Sequence, residues 1–246
     1  MSKNDYIPYF TELKKRILKC FFLYLVFITP LIIYAGPIYT VFATPLLNIL
    51  PANNHLVATH ITSSFMVPIK LGLFLGLFIS IPYFLAQIWG FVTPALYAHE
   101  KKPLKTILFF SISLFYIGII FAYSIVCPLT FGFFTNMMPA GVVMMTDMGH
   151  YLDFVLKLMF TFGLTFQTPV ILIFLLYSRI TTIESLTAKR PYIIIGSFIL
   201  GMLLTPPDVL SQILLALPLW GLFELGLWIA KRLKLNVAVF MHDVVP

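Results

Sequence analysis

Six long apolar runs divide this chain and leave it few ways to fold. They cover approximately residues 17–34, 65–91, 104–126, 152–177, 192–204 and 209–230. Except for the shorter fifth run, these lengths are typical of membrane-spanning helices, which satisfy their own backbone polar groups within lipid. Hydrophobic residues make up 60% of the 246 residues and charged residues only 10%, unlike a water-soluble domain. We therefore predict an all-α polytopic membrane protein with six transmembrane helices in a single domain, residues 1–246.

The positive charges indicate which side of the membrane each connection faces. Of the 16 Lys and Arg residues, five lie in the N-terminal stretch up to Lys19, at the start of the first run, and three follow each of the second, fourth and sixth runs. Retained positive charge marks the cytoplasmic side. Both termini are therefore predicted to be cytoplasmic. The other two bases, Lys70 and Lys157, fall near the outer ends of runs two and four, where long side chains can reach the headgroups.

Prolines and the short fifth run predict the shape of the bundle. Pro30, Pro82, Pro169 and Pro218 lie within runs one, two, four and six, and each removes a helix bond and favours a kink. Kinked helices can enclose a concave wall. The fifth run offers about 13–15 residues, or roughly 20–22 Å, against a bilayer core of about 30 Å. Helices five and six are therefore predicted to form a short hairpin that thins the lipid locally.

The outer connections are predicted to differ in kind. Residues 36–64 contain three prolines around short apolar pieces, which favours small helices on the outer face, and residues 127–150 are predicted to be an outer loop. The third connection is very short. In it, Pro206 and Pro207 stop the fifth helix, and Asp208 is placed to accept hydrogen bonds from the free amides of the sixth.

Several function classes are excluded by the residues. We find no catalytic motif, so we predict no enzyme, and the five histidines lack ligand spacing, so we predict no metal and no cofactor. The net charge of +7 does not indicate nucleic acid, because the bases cluster between apolar runs. Cys20 and Cys127 lie near opposite faces on this topology and are predicted not to bridge.

Two acids stand among the bases flanking the first two runs. Glu12 precedes run one and Glu100 follows run two. Each could pair with a neighbour, Glu12 with Lys15 or Arg16 at helical spacing and Glu100 with Lys101. Alternatively, the two carboxylates receive a basic ligand, since a carboxylate accepts the forked bonds of a guanidinium.

Four more polar side chains lie within the runs, where we expect hydrogen bonds between helices. They are Gln87, Gln167, Gln212 and Glu224. Glu224 could also be reached by Lys231, about two turns later.

Several long segments resemble the TatC family, the core subunit of the twin-arginine protein translocase. The resemblance covers about residues 6–232. The segments that carry it are FTELKKR, IWGFVTPALYAHEKK, LFYIGIIFAYSIVCPLTFGF, KRPY and GMLLTPPDVLSQ, in this order along the chain. The topology expected from the charges is the family's topology.

The resemblance implies a receptor for twin-arginine signal peptides and a core scaffold that exports folded proteins across a membrane, driven by the proton-motive force. The membrane could be bacterial or organellar, and because no transit peptide is evident we predict a bacterial inner membrane. The implied partners are TatA- and TatB-like single-span proteins, further copies of the chain in a TatBC-type complex, and no nucleic acid. The residues implied for signal-peptide binding are Glu12, Glu100, Phe91, Pro94, Leu96 and Tyr97. Those implied for binding a partner helix are Met202, Thr205 and Gln212.

Two positions depart from the family pattern. Lys14 stands where the family often has arginine, so a role needing a planar fork is in doubt there. Gln167 stands where many members have an intramembrane glutamate, and an amide cannot relay protons. Lys14, Arg16 and Gln167 are kept as possible further site residues.

Two other classes of function were weighed. A secondary transporter should show repeated halves and a midplane site, and we see neither an internal repeat nor a buried acid pair. A purely structural membrane scaffold is the alternative if Glu12 and Glu100 pair only with their neighbours.

Overall fold

The computed structural model describes residues 7–47, 56–96, 102–137, 145–178, 180–204 and 209–232, and these are almost entirely helical. In chain order the elements are α1 (Ile7–Ile33), α2 (Ala35–Leu47), β1 (Leu56–Val57), α3 (Ser63–Leu96), α4 (Lys102–Phe121), a π-helical turn (Ala122–Val126), α5 (Cys127–Asn136), β2 (Thr146–Asp147), α6 (Met148–Thr165), α7 (Thr168–Tyr177), α8 (Ile183–Ala188), α9 (Arg190–Leu204) and α10 (Val209–Arg232).

Among the described residues, five helical segments are long and apolar enough to cross a membrane. They are Thr11–Ile33, Ser63–Phe91, Lys105–Asn136, Met148–Tyr177 and Gln212–Arg232. The fifth predicted span corresponds to α9, a shorter apolar helix of 15 residues. The all-α membrane fold is confirmed, and each predicted run lies on a helix.

The third span continues beyond its predicted end at residue 126. Pro128 directly follows that end, but it lies in the first turn of α5, just after a π-helical turn, and does not stop the helix. The π-helical turn precedes it, and the Cys127 amide donates to the Ala122 carbonyl. The expectation of a loop from residue 127 is therefore wrong as far as Asn136.

The fourth span is broken where a proline predicted a bend. α6 ends at Thr165 and α7 begins at Thr168, with Pro169 in its first turn. A tight turn at Phe166 and Gln167 joins them, in which the Gln167 amide donates to the Leu164 carbonyl at 3.0 Å. Pro169 therefore acts here as a helix start rather than as a kink inside a continuous helix.

The chain forms two compact units, of which the first comprises residues 1–112 and 141–156. Its main contact is α1 along α3. Gly72 eases this contact, because a β-carbon there would lie 3.2 Å from the Ile32 backbone nitrogen, whereas one at Gly76 would lie 3.4 Å from the Ile28 α-carbon, an ordinary contact. The G-x-x-x-G spacing in α3 thus serves packing within the chain.

The second unit comprises residues 113–140 and 157–246. Here α10 packs against both α9 and α7. A glycine again permits close approach, since a β-carbon at Gly226 would lie 2.8 Å from Leu172 Cδ1. In the same unit the Phe121 ring packs 5.6 Å from the rings of both Phe162 and Phe166. Cys20 in the first unit and Cys127 in the second are both free thiols.

Candidate functional site

The residues implied for signal-peptide binding are described in part. Glu12, Lys14 and Arg16 lie on α1 and Phe91 near the end of α3, and all have described side chains. Pro94 and Leu96 belong to the last turns of α3, but their side chains are outside the described set. Tyr97 and Glu100 lie outside the described residues.

Glu12 pairs with Arg16, one of the two neighbours expected from helical spacing. Its Oε1 accepts from Arg16 Nη2 at 2.7 Å and from Arg16 Nε at 3.0 Å. Both bonds converge on the same oxygen, and the Glu12 side chain is 51% exposed. Arg16 therefore orients the carboxylate through Oε1, and about half of the Glu12 side chain stays exposed.

Arg16 also reaches across to α3. Its Nη1 donates to the Gln87 Oε1 at 3.1 Å and to the Gln87 carbonyl at 3.3 Å, and its Nη2 donates to the Gly90 carbonyl at 3.3 Å. A β-carbon at Gly90 would lie 3.0 Å from Arg16 Nη1, so the glycine provides room for the guanidinium. One planar side chain thus joins the start of α1 to the end of α3.

A groove of about 380 Å³ lies beside this guanidinium. Apolar side chains from α1 and α3 form most of its wall, and Arg16 and Gln87 supply its polar edge. Its lining residues are Leu13, Arg16, Ile17, Cys20, Phe84, Gln87, Ile88 and Phe91. Phe91, expected in the site from the sequence, therefore lines a cavity next to the Glu12–Arg16 pair.

The residues implied for a partner helix lie on α9 and α10. Met202 on α9 is 51% exposed. Gln212 on α10 donates from Nε2 to the Phe198 carbonyl on α9 at 2.9 Å. Thr205 and the predicted hairpin residues Pro206, Pro207 and Asp208 lie outside the described residues. Gln212 thus makes the interhelical bond expected of an intramembrane amide, within its own chain.

Glu224 has a partner that the sequence did not predict. Its Oε2 accepts from Arg190 Nη2 at 2.7 Å, where the expectation had named Lys231. Arg190 begins α9 and Glu224 lies in α10, 34 positions later, so no helical spacing indicates the pair. The side chains are 43% and 29% exposed. The ion pair links the first residue of α9 to α10.

Asp147 is a hydrogen-bond centre that the sequence analysis did not single out. Its Oδ1 accepts from the Gly149 and His150 amides at 2.8 and 3.0 Å, which caps α6. Its Oδ2 accepts from the Thr59 hydroxyl at 2.6 Å and the Thr59 amide at 3.1 Å. The Thr59 hydroxyl, the His150 amide and the remaining bonds hold the pKa of Asp147 far below its usual value.

The same region carries two short strands, β1 and β2, which pair in parallel with Val57 opposite Asp147. Tyr39 on α2 donates to the Met148 carbonyl at 3.4 Å, and burial, with the nearby Asp147 charge, raises its pKa to about 12. This ladder and its capping acid join two connections far apart in the chain.

Lys70 and Gln167 are two polar residues within the second and fourth predicted runs. Lys70 was expected to reach towards the headgroups, and its Nζ pairs with both oxygens of Asp153 on α6, at 2.7 and 3.0 Å. Gln167 is 6% exposed and lies in the turn between α6 and α7. Its backbone carbonyl accepts from the Ile171 amide at 2.9 Å, so it also supports the start of α7.

In the part of the chain that the structure describes, five helical segments long and apolar enough to cross a membrane, together with a shorter apolar helix, define a polytopic α-helical membrane protein. Its residues 8–218 match the family model described as TatC, Sec-independent protein translocase protein. The chain therefore belongs to the TatC family, and it is a protein-translocase component rather than a conventional enzyme.

Similar proteins extend over nearly the whole chain. The Haemophilus influenzae Sec-independent protein translocase protein TatC is 47% identical over 225 residues, covering 92% of this chain and 88% of that protein. The Escherichia coli K12 protein of the same name is 44% identical, covering 94% and 91%. A crystal structure described as the twin arginine translocase receptor TatC aligns with a TM-score of 0.82 at 32% identity, covering 91% and 98%.

Proposed function

We propose that this chain is the receptor for twin-arginine signal peptides and the core scaffold of its translocase, which exports folded proteins. The observation that carries the proposal is the Glu12 carboxylate, half-exposed and fixed by Arg16 at the edge of an apolar groove. A guanidinium can bond to an exposed carboxylate through a fork, and the groove beside it suits an apolar residue of the same peptide. The related crystal structure is described as a twin-arginine translocase receptor.

The second proposed contact is Glu100, which follows α3. A peptide with two adjacent arginines then bonds to two acids on different segments. Recognition at two points is stronger than at one, because the second contact forms at high effective concentration. Phe91 and, by resemblance, Pro94, Leu96 and Tyr97 are the proposed walls of the same site.

The test measures binding of a twin-arginine signal peptide to the full chain in lipid nanodiscs. We expect Glu12→Gln and Glu100→Gln each to weaken binding, and the double variant to lower it to the level of a twin-lysine peptide. Glu184→Gln is the matched control, since Glu184 is an exposed acid on α8 outside the proposed site. Unchanged binding in the double variant would reject the receptor role, whereas weaker binding in the control would indicate nonspecific charge.

We propose that TatA- and TatB-like single-span helices bind along α9 and the start of α10. Met202 is exposed there, and Gln212 retains a side-chain carbonyl that can accept from a polar group on a neighbouring helix. A photocrosslinker at Met202 is expected to capture such a partner. Leu200 is the matched control, because it is 41% exposed but points about 200° away around the helix.

The proposed setting is a bacterial inner membrane with both termini in the cytoplasm and the proton-motive force as the energy source. The distribution of bases around the spans supports this orientation. Membrane-impermeant labelling of cysteines placed at each terminus tests it, and labelling from outside intact cells would contradict it. Export of a folded reporter should stop when a protonophore dissipates the gradient.

A further inference from the structure

Four bases lie at one end of the α9–α10 helix pair. They are Lys189, which directly precedes α9, Arg190, which begins it, and Lys231 and Arg232, which end α10. The ion pair between Arg190 and Glu224 joins the start of α9 to α10 about two turns before its end. Among the residues that the structure describes, Glu224 is the only acid that pairs with any of the four bases. Three positive charges are therefore left uncompensated there.

An aromatic ring holds the Arg232 side chain in place. The Arg232 Cζ lies over the Trp228 ring, 4.7 Å from its centre, which is the geometry of a cation–π contact. Trp228 precedes Arg232 by one turn of α10 and is 57% exposed. Tryptophan favours the level of the lipid headgroups, where one end of its ring is apolar and the other wet. The contact therefore fixes a guanidinium at the depth of lipid phosphates.

An exposed apolar stripe runs from this guanidinium into the span. Leu225, Trp228 and Arg232 follow one another at positions i, i+3 and i+7, which places them on one face of α10. Leu225 is 46% exposed, and the segment Gln212–Arg232 is long and apolar enough to cross a membrane. At 1.5 Å per residue, Leu225 lies about 10 Å from Arg232 towards the membrane centre. A phosphate bound at Arg232 would leave its acyl chains beside Trp228 and Leu225.

We propose that this end of α10 binds one anionic phospholipid. The phosphate accepts from the Arg232 guanidinium and the neighbouring Lys231 ammonium, and an acyl chain lies along the stripe of Trp228 and Leu225. Lys189 adds to the attraction for negative charge. Bases that only orient a span need no fixed geometry, whereas here a guanidinium is held by a ring above an exposed apolar face. The site uses none of the residues proposed for signal-peptide or partner-helix binding.

The experiment measures binding of single lipids to the full chain in detergent by native mass spectrometry. Phosphatidylglycerol is compared with phosphatidylcholine of the same acyl chains. We expect wild type to bind the first phosphatidylglycerol at least tenfold more tightly than phosphatidylcholine. Lys231→Gln combined with Arg232→Gln should weaken that first phosphatidylglycerol about 10- to 30-fold, since each base contributes roughly a fivefold factor. The affinity for phosphatidylcholine should change less than twofold.

A matched control separates a site from diffuse attraction. Lys15→Gln combined with Lys19→Gln removes two exposed bases from α1, which is the same loss of charge. It should change the affinity for the first phosphatidylglycerol less than twofold. An equal loss in this control, or equal affinity of wild type for the two lipids, would overturn the site.

A second variant leaves every charge in place. Trp228→Leu keeps an apolar side chain and removes the ring that holds Arg232, so it should weaken phosphatidylglycerol about two- to fivefold and leave phosphatidylcholine unchanged. Trp220→Leu is its control, because Trp220 is an exposed tryptophan on the same helix, two turns earlier. The proposal is wrong if Trp228→Leu and Trp220→Leu affect the two lipids alike.

Two measurements complete the test. Millimolar inorganic phosphate should not displace phosphatidylglycerol, and displacement would indicate a site for free anions instead of a lipid site. The melting temperature without added lipid should be the same in wild type and in the variant that lacks both Lys231 and Arg232. If that variant is less stable, the comparison of Trp228→Leu with Trp220→Leu decides.

Discussion

The Asp147 cluster gives the most direct test of how the connections between spans are held. Asp147→Asn keeps Oδ1, which accepts from the Gly149 and His150 amides, and so keeps the cap on α6. It replaces Oδ2 with an amide nitrogen that donates. The Thr59 amide, which donates to Oδ2 at 3.1 Å, then faces another donor.

The size of the effect follows from the two bonds that Oδ2 accepts, from the Thr59 amide and the Thr59 hydroxyl. Hydrogen bonds to a charged group contribute about 1.5–3 kcal/mol each, so losing both would cost about 3–6 kcal/mol. The Thr59 hydroxyl can rotate and accept from the new amide, and water can reach Thr59 because the residue is exposed. We therefore expect a net loss of about 1–2 kcal/mol, which raises the local opening constant roughly 5- to 30-fold.

Amide hydrogen exchange of residues 56–62 in detergent or nanodiscs measures this opening. Thr59→Val removes the hydroxyl bond to Oδ2 and should also increase exchange, and its effect should not simply add to that of Asp147→Asn, because both changes alter the same contact. Thr59→Ser keeps the hydroxyl and is the conservative control. Exchange that is unchanged in Asp147→Asn would refute the assignment of this acid as the tie between the two connections.

Three further predictions test the packing and the charges. Because a β-carbon at Gly118 would lie 2.7 Å from the Phe162 carbonyl, Gly118→Ala should destabilise the protein by about 1–3 kcal/mol, whereas Gly132→Ala, with open space, should not lower the melting temperature. Arg190→Glu and Glu224→Arg should each lower the melting temperature. Combining the two charge reversals should recover about 1 kcal/mol of unfolding free energy in a double-mutant cycle. The folded-state pKa of Asp147 lies below its ordinary value of 3.8, so the stability that the charged carboxylate contributes is complete above pH 3.8 and is lost only as the pH falls below it. Exchange protection near Asp147, corrected for intrinsic exchange rates, should therefore be equal at about pH 7 and about pH 4.5.

The spans could be predicted from the sequence because lipid imposes a simple rule. A stretch that crosses the membrane must be apolar and helical, and both properties are local. Prolines were harder to interpret, since their effect depends on position within a helix. Pro128 lies in the first turn of α5 and Pro169 in the first turn of α7, where the proline ring is tolerated. Only Pro169 coincides with a break between two helices.

The contacts that build the candidate site could not be predicted in full. Spacing along α1 indicated Arg16 as one possible partner for Glu12. It did not indicate the hydrogen bond between Arg16 and Gln87, which are 71 positions apart. No periodicity encodes such a contact, because it depends on which faces of two helices meet. The same holds for Arg190 and Glu224, where the sequence offered only a base on the same helix.

The parallel pairing of β1 with β2 has a consequence for how the chain is made. Thr59 and Asp147 are 88 positions apart. At roughly 5–20 residues per second, the ribosome needs about 4–18 s to supply the acid after the threonine has emerged. During that interval the first connection has no partner strand, so a newly made chain carries an unpaired strand edge until the second connection is complete.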